Sequence, residues 1–139
     1  MEFALSGDIA RILLPMSNEL STPKILRCPT DEKRRIETTF AALQTRNMSY
    51  FIGLDADETM PQTVLSGDRN VRGGLIISNR VMIVSSASKI VFGSDIHQNA
   101  GNIGLGDGSA QQVNQVGLHR QILSQEQSMT NNRVRWALP

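Results

Sequence analysis

The chain has a single cysteine, Cys28, so no disulfide can close within it, and one thiol beside His97 and His119 falls short of the four Cys and His ligands of a structural zinc site. A long hydrophobic run is missing as well. The longest is about five residues, against roughly twenty for a membrane-spanning helix, and nothing resembles the apolar stretch of a signal peptide. Charge of one sign is also scarce: fourteen basic residues against thirteen acidic ones give a formal net charge of +1, too weak a field to gather nucleic acid or an anionic membrane. These absences predict a soluble chain with no nucleic-acid partner and no membrane contact of its own. They leave the redox compartment open. A chain of 139 residues can bury one modest core but not two, so residues 1–139 are expected to form one globular domain.

What the sequence does contain is a change of period. Ser6 can cap a short helix that has Asp8 in its first turn, Ile9, Ile12 and Leu13 on one face, and Pro15 at its end. Two apolar turns are unstable alone in water, so this helix is expected to lie against a sheet. Pro23 and Pro29 bracket residues 24–28, which read as an extended connector or edge strand. Thr30 offers a second cap, Asp31 and Glu32 suit a first turn, and Ile36, Phe40 and Leu43 recur at i, i+4 and i+7, which predicts a helix over 31–44. Beyond Asn47 the pattern is that of strands, over 48–54, 62–65, 75–77, 81–84, 89–92, 102–106 and 109–113. Residues 78–80 suit a short hairpin connection with Asn79 left-handed. Asn114 precedes an incomplete helical stripe of Val116, Leu118, Ile122 and Leu123, weakened by Gly117, and residues 133–138 read as a closing strand whose Trp136 covers the core. With no βαβ alternation, this order predicts an α+β fold, with N-terminal helices packed on an antiparallel β-sheet of hairpins and a meander.

The most informative stretch is 95–113, DIHQNAGNIGLGDGSAQQV. Polar and apolar residues alternate on both sides of Asp107 and Gly108, and Asp-Gly readily supplies the two positive φ angles of a type I′ turn, so the stretch reads as a hairpin. His97, nine intervening residues and then Asp107-Gly108 also form a signature. Together with MSNELSTPKIL at 16–26, YFIGLDADE at 50–58, LSGDRN at 65–70 and AGNIGLGDG at 100–108, it resembles the type II secretion pseudopilins and type IV pilin-like proteins that carry a His-x9-Asp-Gly motif. The likeness covers most of the chain from about Met16. It implies a pilin-type head used for contacts with other protein subunits or secreted protein cargo, a homo-oligomer being one form of such contact. These proteins begin with a basic leader, a prepilin peptidase site and a long apolar helix, which the sequence does not show. The expectation is therefore the head domain alone, whether by truncation or because the gene encodes only the head. Truncation would place it in the periplasm or cell envelope, and a complete gene product in the cytoplasm. Residues 33–37 are more helix-like than the family leads one to expect, which suggests a remodelled early loop.

Candidate chemistry starts from the same motif. His97, Asp95 and Asp107 can form a catalytic or metal-binding trio only if the chain doubles back, since ten extended residues span about 33 Å. The simpler account has Asp107 making the turn and His97 bonding a loop, so that His97, Asp107 and Gly108 are structural. Asp55, Asp57 and Glu58 are the best cation candidates, because carboxylates one residue apart can both reach a hard ion such as calcium. Pseudopilin heads often bind calcium in a loop, so the resemblance points the same way. The run lacks the glycine and distal glutamate of an EF-hand, and a solvated turn is the plain alternative.

Other motifs carry less. Residues 66–70 lack the paired glycines of a hydrolase elbow. Gly101, Gly104, Gly106 and Gly108 are followed by no Gly-Lys-Ser/Thr, which argues against nucleotide binding. Lys33, Arg34 and Arg35 are offset by neighbouring acids, and Arg133, Arg135 and Trp136 are a thin footprint for nucleic acid. His119 reads as a surface residue. The expected function is thus a non-enzymatic interaction domain with no catalytic residues and no cofactor beyond calcium. One alternative is a small hydrolase or metal-dependent enzyme using His97, Asp95 and Asp107. Another is a stand-alone domain of unknown role.

Overall fold

The computed structural model describes residues 8–131 and 133–139. Its centre is a seven-stranded antiparallel sheet built from β1 (Tyr50–Gly53), β2 (Val64–Asp68), β4 (Leu75–Ser78), β5 (Val81–Val84), β7 (Gly101–Leu105), β8 (Ala110–Val113) and β9 (Val134–Ala137). Across the sheet the order is β4-β5-β9-β1-β2-β7-β8. A separate two-stranded ladder joins β3 (Val71–Arg72) to β6 (Val91–Phe92). Helical segments cover the sheet on each side, which makes the fold α+β with the sheet predominant.

The alternation of strand side chains explains the two cores. Phe51 points to one face and stacks on Trp136 with ring centroids 4.3 Å apart and planes at 14°, joined there by Val64, Ile103 and Leu105. Leu118 and Ile122 of α3 (Gln115–Ser128) close that side. The next residue, Ile52, and Ala137 beside Trp136 point the other way, onto Ile9, Ala10 and Leu13 of α1 (Ile9–Leu13), with Leu26, Leu43 and Met48. Each large side chain fully buried in this way contributes about 1.5–3 kcal/mol. α3 starts where expected: Asn114 Oδ1 accepts from the Gly117 amide at 2.9 Å. Its incomplete apolar stripe is supplemented by buried glutamines. Gln125 Oε1 accepts the Val64 amide at 3.0 Å and Gln121 Nε2 donates to the Gln62 carbonyl at 2.6 Å, at a bulge where β2 and β7 lose register.

Several sequence expectations change. Ser6 lies outside the described residues; the cap of α1 is Asp8, whose carboxylate accepts from the Arg11 amide at 3.4 Å. Pro15 does not end the helical stretch. It sits in the first turn of a 3-10 segment (Leu14–Met16), where a missing N–H is tolerated, and α2 (Ser17–Leu20) follows until Ser21 turns left-handed at φ 60°. Residues 24–28 are not an edge strand, because Pro23–Leu26 forms a 3-10 turn capped by Thr22.

The helix predicted over 31–44 is absent, and turns and bends take its place. Asp31 is drawn inward instead, and the Arg34 carbonyl accepts from Arg27 Nε at 3.0 Å. At the β4–β5 turn the left-handed residue is Arg80, φ 66°, rather than Asn79. At the β7–β8 turn only Gly108 has positive φ, 83°, and its amide bonds the Leu105 carbonyl at 3.0 Å, so the turn is type I closed by a left-handed glycine and not type I′. The closing segment is a strand with Trp136 buried in the core, as expected, and β9 lies between β5 and β1 in the middle of the sheet.

Candidate functional site

The paired ends of β1 and β2 set a polar pocket into an otherwise apolar sheet. Tyr50 opens β1 and Asp68 closes β2, and the two face each other in register. Asp68 is completely buried; its Oδ2 accepts from the Asn102 amide at 2.6 Å and from Asn102 Nδ2 at 3.0 Å. Its Oδ1 is buried and accepts no hydrogen bond. Two loops bring the remaining members. Cys28, 4% exposed, follows the Pro23–Leu26 turn, with the Thr30 hydroxyl 3.1 Å from its sulfur. His97 arrives on the segment between β6 and β7, where Nε2 lies 3.4 Å from Cys28 Sγ and 3.4 Å from Asp68 Oδ2.

That second loop is held against its preference. His97, Gln98 and Asn99 are consecutive left-handed residues with φ of 54°, 51° and 66°, each disfavoured by roughly 1–2 kcal/mol outside glycine. Asn70 supplies the restraint. Its Nδ2 faces the carbonyls of Gly93 at 2.8 Å, Ile96 at 2.7 Å and Ala100 at 3.3 Å, clasping the loop on both sides of His97. His97 and Gln98 border a shallow cleft of about 430 Å³ with Thr30, Ser94 and Gln112, so the histidine is reachable from solvent.

Electrostatics organise the surroundings. Burial first, then the nearby charges of Cys28 and Asp68 and a hydrogen bond to Cys28, push the Tyr50 hydroxyl up to about 12, which keeps it protonated at neutral pH. Next to this group, Asp31 is buried and receives Arg69 through Nε at 2.6 Å and Nη2 at 2.7 Å, with the Ser49 hydroxyl at 2.8 Å. Burial alone would raise its carboxyl, but the hydrogen bonds from Arg69 and Ser49 and the charges of Arg69 and Arg34 outweigh it and hold Asp31 below the usual carboxylate range.

The sequence candidates fare differently. His97 is in the pocket, but its neighbours are Cys28 and Asp68 rather than Asp95 and Asp107. Asp95 faces cations, with Arg72 at 2.7 Å, Lys33 at 3.7 Å and Arg69 at 3.8 Å. Asp107 lies beyond β7 at the far turn, where it accepts from the Ser109 amide and hydroxyl at 2.8 and 2.6 Å. The same device recurs at Asp57, which accepts from the Thr59 amide at 2.8 Å and hydroxyl at 2.7 Å. In each case that side-chain hydrogen bond is the main reason the carboxyl is lowered. Asp55 is committed to Arg135, accepting from its amide at 2.7 Å and from Nη2 at 2.6 Å, and the donor atoms of Asp55, Asp57 and Glu58 are not gathered within 4.8 Å of one another. Among the described residues, Cys28, Asp68 and His97 are the acidic, Cys and His side chains whose donor atoms lie close enough to share one metal ion, all within 4.8 Å of one another.

Two of these three were not legible beforehand. Cys28 and His97 are 69 positions apart and no local spacing links them. The one usable signal was the antiparallel pairing of β1 and β2, which sets the end of one strand beside the start of the other. Compared with family models, with curated proteins and with solved structures, the chain gives no significant match. No helix among the described residues is long and apolar enough to cross a membrane.

Proposed function

We propose that this chain is a non-enzymatic interaction domain of the kind that forms the head of a type II secretion pseudopilin, and that it meets another subunit of its own kind along the β4 edge. The observation that supports this is the exposure of that edge. Among the described residues the strand paired with β4 is β5, and all four residues of β4 are exposed, with Leu75 at 67%, Ile76 at 55% and Ile77 at 45%. Successive residues face opposite sides of the strand, so apolar surface of Leu75, Ile76 and Ile77 is open on both faces of this sheet edge. Soluble folds usually blunt such an edge with charge, proline or a cover. An antiparallel edge can pair with its own copy about a two-fold axis, which satisfies the backbone and buries both apolar faces together.

Sedimentation velocity over a concentration series tests this. The wild-type chain should associate and Ile76→Lys should remain monomeric. A wild-type chain that stays monomeric up to its solubility limit would remove the edge from consideration, and with it the support for subunit contact.

A further inference from the structure

We infer that Cys28, Asp68 and His97 form a binding site for a divalent transition-metal ion of borderline softness, zinc above all. The donor set is a thiol sulfur, an imidazole nitrogen and a carboxylate oxygen, the three ligand types that zinc takes from proteins. Spacing agrees with the chemistry. Zinc in tetrahedral coordination, with Zn–S near 2.3 Å and Zn–N or Zn–O near 2.0–2.1 Å, separates neighbouring donors by roughly 3.3–3.6 Å. Both separations to Nε2, from the sulfur and from the Asp68 oxygen, are 3.4 Å.

A second observation points to a cation. Asp68 is fully buried and its carboxylate is under-served, with Oδ1 accepting no hydrogen bond, so a cation bound by this carboxylate would supply the positive charge that its burial calls for. Asn102 fixes the same carboxylate through Oδ2, the kind of outer support that orients a ligating group. Three protein ligands leave the fourth position of a tetrahedral ion for water or a small ligand, and His97 borders a cleft that is open to solvent.

A Cys-His-Asp proton relay is the competing arrangement, and the geometry disfavours it. A relay needs the two ring nitrogens to face different partners, the nucleophile on one and the carboxylate on the other. Here one nitrogen, Nε2, faces both the sulfur and the carboxylate. The three groups converge on a point and do not form a chain.

The test is metal binding by the reduced full chain. Zinc chloride should raise its melting temperature with one equivalent bound, and cobalt(II) chloride should produce the near-ultraviolet charge-transfer band of a thiolate ligand. Cys28→Ser should abolish the band, and His97→Gln should weaken zinc by at least about tenfold. Asn102→Ala, which leaves all three ligands in place, should weaken zinc by about 10–100-fold. His97 is partly exposed, so His97→Gln decides the matter if Cys28→Ser fails to fold. No melting shift and no cobalt band in the wild-type chain would overturn the site, as would unchanged zinc affinity in His97→Gln. Rapid alkylation of Cys28 unaffected by zinc would favour the relay instead.

Discussion

Two regions of this molecule invert the usual distribution of polar and apolar residues, and they do so in opposite senses. At the β1–β2 end, Asp31, Asp68 and Asn70 are buried inside the sheet layer. At the β4 edge, Leu75, Ile76 and Ile77 stand in solvent. The first region is tightly specified, since each of these groups has named partners at hydrogen-bond distance, and replacement of one strands another. The second is under-determined. Among the described residues Leu75, Ile76 and Ile77 belong to neither buried cluster, and exposed apolar surface of this kind suits contact with a partner. A buried polar group left without its partner destabilises the chain, whereas an exposed apolar one costs nothing until something docks on it.

The largest expected effect lies in the polar region. Asp31→Ala removes the carboxylate that Arg69 grips through two hydrogen bonds and leaves this guanidinium, whose side chain is only 10% exposed, with no closer carboxylate than Asp95 at 3.8 Å. Breaking such a pair costs about 3–5 kcal/mol, to be read from the urea midpoint. An equivalent loss at an exposed pair such as Arg11–Asp8 would erase the contrast between the two regions.

The same carboxyl predicts a pH dependence. Because the folded state holds Asp31 below its ordinary value, its contribution is complete above the unfolded value of about 4 and is lost as pH falls through the folded one. Urea midpoints measured downward from pH 6 should therefore hold to about pH 4 and then drop, and Asp31→Asn should drop less steeply. A flat wild-type profile through that window would show that Arg69 does not hold the charge.

Next in size is the clasp on the His97 loop. Asn70→Ala leaves the carbonyls of Gly93, Ile96 and Ala100 without their shared donor, at about 1–3 kcal/mol. With it goes the restraint on three left-handed residues, so amide exchange at Gln98 and Asn99 should speed up more than elsewhere. Gly108→Ala belongs a step lower, at about 1 kcal/mol, because only the φ of 83° is unfavourable and open space surrounds the added carbon.

This ordering also explains what the sequence could disclose. Strands were legible from alternation: the pattern around Phe51 and Ile52 sends one side chain to each core, and the stripe behind Asn114 gave α3 with its cap. The helix expected over 31–44 failed because its residues are used elsewhere. Asp31 is the counter-ion of Arg69, 38 positions away, while Arg34 reaches the Arg46 carbonyl at 2.9 Å. Those partners are set by the sheet and leave no local trace, so a helical period outweighed by tertiary bonds reads in sequence like any other. The site was half visible for the same reason. His97 drew attention through its motif, but Asp95 and Asp107, near it in sequence, belong to cations and to a turn, whereas Cys28 and Asp68, 69 and 29 positions away, reach it only through tertiary packing.

The smallest expected effect on stability falls at the β4 edge, and there its smallness is the point. Ile76 is 55% exposed and belongs to neither buried cluster of the described residues, so Ile76→Lys should change the unfolding free energy from urea titration by no more than about 0.5 kcal/mol. Its effect should appear in association, where a charge on the edge opposes pairing with a second strand. The pair of measurements separates the two regions cleanly: Asp31→Ala should lower stability whether or not the chain associates, and Ile76→Lys should alter association at constant stability. If Ile76→Lys instead lowers the unfolding free energy by more than about 1 kcal/mol while sedimentation is unchanged, the exposed isoleucine serves the fold itself, and the edge is not where this domain meets its partner.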